Sequence, residues 1–217
     1  MTTFAARAAR FILVVVAAAQ LAGCGVNRIP TLDEQVKAKF NDLQTAYQRR
    51  ADLIPNLVAT VQGAANQERT TLREVIEARS RATSIQVTPE MVRDPEAMAR
   101  FQAAQNQLSG ALSRLLVVSE NYPQLQANQN FLALQHSLER EEGKIMIARR
   151  DYNEAVRVYN TEIRTFPGAL WANTVHGWAE PAQGFTASPG AQNAPQVNFN
   201  TPGAAPPPAP AVSLPAQ

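Results

Sequence analysis

The sequence predicts an all-α protein, an antiparallel up-and-down bundle of three to four long helices with a disordered Pro/Ala-rich C-terminal tail. Three observations lead there. Of 217 residues, 45% are hydrophobic but only 6% aromatic, and the abundant Ala, Leu, Gln and Arg lose little side-chain freedom on a helix. No segment sustains the apolar–polar alternation of a strand. Apolar residues instead recur at intervals of three and four, drawing one stripe down each helix. Long helices with one stripe each bury those stripes together by folding back on one another.

The chain opens on what reads as an export segment, residues 1–23. Arg7 and Arg10 form a basic start, "FILVVVAAAQ" is a short apolar core, and "LAGC" closes it at Leu21 to Cys24. The apolar run falls short of the about 20 residues that span a membrane. "LAGC" matches a bacterial lipobox, which predicts a lipoprotein: cleavage before Cys24, then diacylglycerol on its sulfur and an acyl chain such as palmitate on its amino group. The alternative is an uncleaved helical anchor ending in a chance cysteine. Cys24 is the one cysteine in the sequence, so it has no disulfide partner and no place in a multi-cysteine metal site. Gly25 in the next position, where Asp would favour inner-membrane retention, predicts delivery to the outer membrane in a cell with two membranes.

Cleavage also removes Arg7 and Arg10, and no acid, from 20 cations and 18 anions. The balanced remainder excludes nucleic acid as an expected partner. The expected contacts are membrane lipid, through acylated Cys24, and a protein partner in the cell envelope.

After a tether over residues 24–31, the bundle is expected over residues 32–168. Thr31 with Glu34 reads as a capping box. An apolar stripe then runs through Val36, Phe40, Leu43, Tyr47, Ile54, Leu57, Val61, Leu72 and Ile76. It keeps its phase across Pro55, which reads as a kink within a helix, with a break near Gly63 as the alternative. Pro55 removes one donor and opposes the carbonyl of Ala51, at about 3 kcal/mol in an ordinary helix interior. "TSIQVTPEMVRDPE" is a connection, and Asp94 with Pro95 starts the next helix. That helix carries Phe101, Ala104, Leu108, Leu115, Val118 and Tyr122 and stops before Pro123. A last helix, from about Asn128, carries Phe131, Leu134, Leu138, Glu141, Ile145, Ala148, Tyr152, Ala155, Tyr159, Ile163 and Phe166, a coiled-coil-like spacing. Residues 169–186, with Trp171 and Trp178, read as a cap on the bundle end or, more sharply, a lipid or partner contact. Residues 187–217 are uncharged and rich in Pro and Ala, too poor in apolar surface to fold.

The stretch "RRADLIPNLV" resembles the LemA family of bacterial membrane-associated proteins. The resemblance continues through "QNQLSGALSRLLVVSENYPQLQANQNFLALQ" and "LEREEGKIMIARRDYNEAVRVYNTEIRTFPG", and covers about Leu32 to Phe185. It implies a helical bundle held at a membrane and facing the periplasm or cell exterior. It further implies partners such as TPM-domain membrane proteins or membrane metallopeptidases, and a related bundle is associated with shaping organelle membranes. Family members usually begin with an uncleaved transmembrane helix, so the lipobox is a departure. No molecular activity carries over.

The residues themselves offer little chemistry. The two histidines, His136 and His176, belong to no His-Glu-x-x-His pattern, and His136 with Glu139 has no counterpart for a di-iron pair. "LSGALS" lies within a helix and lacks the sharp turn of a nucleophile elbow. No metal and no cofactor is expected. The unusual polar residues are Arg50 and Glu141 on apolar seams, with Arg49, Asp52, Glu142, Arg149 and Arg150 close by in sequence and Pro55 and Asn56 in the same family motif. Three readings stand: long side chains reaching solvent at the seam edge, an ion network fixing helix register, or an anion or partner site on Arg50 and Arg149. The expected role is a non-enzymatic, lipid-anchored envelope scaffold or adaptor. The alternative is an accessory or regulatory subunit of a membrane peptidase or TPM-domain protein, with a hydrolase below both.

Overall fold

The computed structural model describes residues 25–65 and 67–186. The export segment, Cys24 and the tail from residue 187 lie outside the described residues. Among the described residues, six α-helices follow in order: α1 (Arg28–Ala64), α2 (Arg69–Ser84), α3 (Pro95–Ser119), α4 (Pro123–Gln126), α5 (Gln129–Arg164) and α6 (Gly168–Thr174). A 3₁₀ turn, Pro89–Arg93, precedes α3, and the described residues hold no strand. The all-α bundle expected from the stripes is what the chain forms.

The frame is the pair α1 and α5, of 37 and 36 residues, each about 55 Å long at 1.5 Å per residue. They run antiparallel along their length, and α2 packs on α3 as a shorter hairpin that also touches α1. Matching pairs set the register: Arg28 with Glu162 at one end, Phe40 against Tyr152, and Arg50 with Glu142 further on. Two helix starts carry side-chain caps, the one expected at Asp94 and one at Asn128, where the last helix was expected to begin. Asp94 accepts from the amides of Glu96 and Ala97, and Asn128 from those of Asn130 and Phe131, satisfying orphan donors of the first turn.

Pro55 lies inside α1, and the helix ends just beyond Gly63, at Ala64. The bundle therefore has four principal helices. Beyond the break α2 buries Leu72, as expected, together with Val75, Ala78 and Ala82; the step after Leu72 is three and not four, so Ile76, expected inside, is 51% exposed. Phe166 is also turned out, because α5 ends at Arg164 before reaching it. The capping box at Thr31 does not form. Helix α1 begins at Arg28, and the Thr31 hydroxyl donates to the Asn27 carbonyl from within the first turn. Burial of Ile29 draws the helix on, and Pro30 is tolerated in a first turn that lacks acceptors for its donor anyway.

Apolar burial falls into two clusters. One joins Ile29 to Tyr47 of α1 with Phe101 of α3 and Ile145 to Ile163 of α5. The other joins Ile54 to Val61 with α2, Leu108 to Leu115 of α3, and Phe131 and Leu138 of α5. Between them, at the same height on all three helices, lie Arg50, Gln105 and Glu142.

Residues beyond α5 pack back on α5 and α1. Gly168 starts α6 against α5, where an added Cβ would lie 2.2 Å from the Glu162 carbonyl oxygen, so this close approach requires glycine. From residue 179 the chain runs back along α5 in extended form. Asn160 donates to the carbonyl of Ala182 and accepts from its amide, and Asn153 does the same for Phe185. Seven residues of helix rise about 10.5 Å and three residues of extended chain about 10 Å, so the two carboxamides match the spacing of the segment they hold. Phe185 ends the strap edge-on to Tyr152 and Phe101.

Candidate functional site

The polar layer between the two apolar clusters is the most developed arrangement of functional groups in the bundle. Arg50 is 1% exposed. Its Nη1 donates to Ser109 Oγ at 2.7 Å and to Glu142 Oε2 at 2.8 Å, and its Nη2 to Gln105 Oε1 at 2.9 Å. The guanidinium lies 5.3 Å from the centre of the Tyr47 ring. One side chain of α1 thus ties α3 and α5 together at one height. A buried guanidinium is costly unless its donors are matched and its charge opposed. The layer gives partners to both terminal nitrogens and sets the Glu142 carboxylate against the charge, while Nε is buried without a partner.

The sequence placed Arg50 and Glu141 on the seams; the partner in the structure is Glu142. Glu141 stays largely buried, at 13% side-chain exposure, but pairs with Lys144 at 2.7 Å and not with Arg50. Arg149 joins from α5 by donating to the Tyr47 hydroxyl at 2.8 Å, with its guanidinium over the Phe185 ring. Burial pushes the Tyr47 phenol above its ordinary range, and the Arg149 bond acts against that rise. Arg150 pairs with Asp151 on the surface. Asp52 accepts from Gln48, also outside. Arg49, Pro55 and Asn56 are exposed. Arg49 lines an open cavity of about 370 Å³ with Gln44, Gln48, Thr83 and Gln105. The family motif therefore divides: Arg50 faces the interior, and Arg49, Asp52, Pro55 and Asn56 face out.

Three parts were not found from the sequence. Gln105 and Ser109 complete the layer, and Gln105 had a signal, since it stands four after Phe101 and three before Leu108. Arg79 donates from Nε to the Ala51 carbonyl at 2.8 Å; the carbonyl left open by Pro55 pointed to such a donor without naming it. Asn153 and Asn160 share a helix face at an interval of seven, a pattern without meaning until the strap is in place.

Elsewhere, the polar groups also hold elements together. Buried Asp33 pairs with Lys37 at 2.9 Å and with Arg93 of the 3₁₀ turn, and Arg93 lies over the Trp178 ring. His176 Nε2 donates to the Val26 carbonyl at 2.7 Å, and His136 stands on the surface beside Glu139. Among the described residues no group of three or more His, Cys, Asp or Glu side chains is placed to hold a metal ion. Among the described residues, no helix is long and apolar enough to cross a membrane.

Comparison with known proteins places these features in a family. The LemA family model matches residues 39–199. Two magnetosome proteins of Paramagnetospirillum magneticum, MamQ 1 and MamQ 2, are each 26% identical over 157 residues, 65% of this chain and 58% of theirs. Protein LemA of Metamycoplasma hominis is 26% identical over 133 residues, 61% of this chain and 55% of its own. The chain thus spans a little over half the length of these relatives.

Proposed function

The chain belongs to the LemA family, and from that premise we propose that it is a membrane-anchored, non-enzymatic scaffold or adaptor of the cell envelope. The observation that carries this reading is the use made of the buried polar groups. Arg50 binds α3 and α5, Arg79 serves a backbone carbonyl, and Asn153 and Asn160 hold the strap. Each holds one segment of the chain to another, and the Ser109 hydroxyl and Glu142 carboxylate beside Arg50 are both engaged as its acceptors. The lipobox at Leu21 to Cys24 supplies the anchor through acylated Cys24. The protein then stands in the periplasm or outside the cell, on the outer membrane where there are two.

Crosslinking the full chain in membranes, followed by capture and identification of what is bound, tests the role. A scaffold is expected to yield several envelope proteins at substoichiometric levels. Recovery of one stoichiometric membrane peptidase or TPM-domain protein would replace the scaffold with an accessory subunit.

A further inference from the structure

Most exposed large apolar side chains of the helices stand singly or in adjacent pairs: Ile76 on α2, Val117 on α3, and Leu132, Met146 and Ile147 on α5. The stretch from Phe166 to Trp178 differs. Phe166 is 86% exposed, Val175 55%, Leu170 50% and Trp178 45%. This stretch turns out of α5, forms α6 and closes one end of the bundle.

The same end holds the start of the described chain. His176 donates to the carbonyl of Val26. Gly25 lies against Trp171, whose indole Nε1 is 3.0 Å from where a Cβ at residue 25 would stand. Arg28 pairs with Glu162 in the last turn of α5. Gly25 directly follows Cys24 in the sequence, so an acyl group on Cys24 would leave the fold beside these exposed side chains.

We propose that Phe166, Leu170, Val175 and Trp178 form a membrane-seating platform that enters the lipid interface beside acylated Cys24. The proposal rests on the anchor reading above and adds a second point of attachment to it. A single lipid attachment leaves the orientation of a rod free, whereas apolar side chains at its foot fix how the rod stands. Trp and Phe suit the boundary between headgroups and acyl chains. Trp178 is held for the purpose, edge-on to His176 and under the Arg93 guanidinium. Exposed Arg164, in the last turn of α5, is placed to meet anionic headgroups.

The test uses the full chain as extracted from membranes, carrying Trp171→Phe so that Trp178 is the sole tryptophan. It is reconstituted into phosphatidylethanolamine–phosphatidylglycerol vesicles with or without bromine on the acyl chains. Trp178 emission is expected to shift to shorter wavelength and to lose intensity in the brominated vesicles. Phe166→Gln with Leu170→Gln should leave flotation with the vesicles intact and reduce that quenching. A chain that floats while Trp178 keeps a water-like emission overturns the platform and leaves the anchor standing. A chain that neither floats nor is quenched overturns both. A blue shift without bromine quenching assigns the surface to a second copy or another protein and overturns the proposal.

Discussion

Arg79 on α2 donates from Nε to the carbonyl oxygen of Ala51 on α1 at 2.8 Å, and that oxygen is the one Pro55 leaves without a helical donor. A proline in the interior of a 37-residue helix is thereby tied to the neighbouring helix. The defect in α1 has become a contact point for α2.

Arg79→Met would strand that carbonyl, which is buried with Ala51, and is expected to lower stability by about 1–3 kcal/mol. In a Pro55→Ala background the new amide serves the carbonyl, so the same change should cost much less. Denaturant unfolding of the detergent-solubilised full chain, run as a double-mutant cycle, measures the difference. Equal costs in both backgrounds would separate Arg79 from the proline.

The polar layer makes an asymmetric prediction. Glu142 is 56% exposed at its side chain, so Glu142→Gln should cost under about 1 kcal/mol. Gln105→Leu removes a buried acceptor from Arg50 and should cost more, about 1–3 kcal/mol. Joining the two apolar clusters with Arg50→Met and Gln105→Met together should recover much of that loss. Thermal unfolding of the single and double variants checks the order, and a Glu142→Gln variant as unstable as Gln105→Leu would contradict it.

The strap depends on two carboxamides. Asn160→Asp keeps the acceptor for the Ala182 amide but loses the donor to its carbonyl. Hydrogen exchange at Ala182 should then quicken about tenfold, the change produced by ~1.4 kcal/mol. Asn153→Asp should act in the same way at Phe185. Exchange unchanged in both would mean that core burial of Ala182 and Phe185, with the bonds of Gln183 to Tyr152 and Val92, holds the segment without the carboxamides.

All four tyrosines have phenols raised above their ordinary value. Burial is the main cause at Tyr47, Tyr152 and Tyr159, and at Tyr122 it is the hydrogen bond to Glu68. A folded pKa above the unfolded one gives stability that is complete below the unfolded value, about 10, and is lost as pH rises through the folded value. Tyrosinate absorbance and helical circular dichroism should therefore change together above about pH 10. Phenols that titrate at the ordinary value with the helices intact would show that they are not enclosed.

Much of this fold is legible in the sequence, because a three-four stripe reports burial directly. Phe40, Leu108, Ile145 and Tyr152 fall where the pattern puts them. Ile76 was not legible, because within α2 the buried step from Leu72 is three, to Val75, and a stripe of threes and fours does not say which comes next. Phe166 is exposed because α5 ends at Arg164, two residues short of it, and spacing does not record where a helix stops. Half of the polar layer could be read: a charge on a seam marks Arg50, but a neutral Gln105 gives a weaker signal. The choice of Glu142 over Glu141 needed the rotation of α5 about α1, which adjacent positions in one helix do not reveal.

Intact-mass measurement of the chain purified from membranes bears most directly on the anchored scaffold. The expected species begins at Cys24 and carries a diacylglyceryl group and an amide-linked acyl chain, while the Cys24→Ala variant stays an unprocessed precursor. A chain of full sequence mass without lipid, or a Cys24→Ala variant processed and labelled with fatty acid as before, would contradict it.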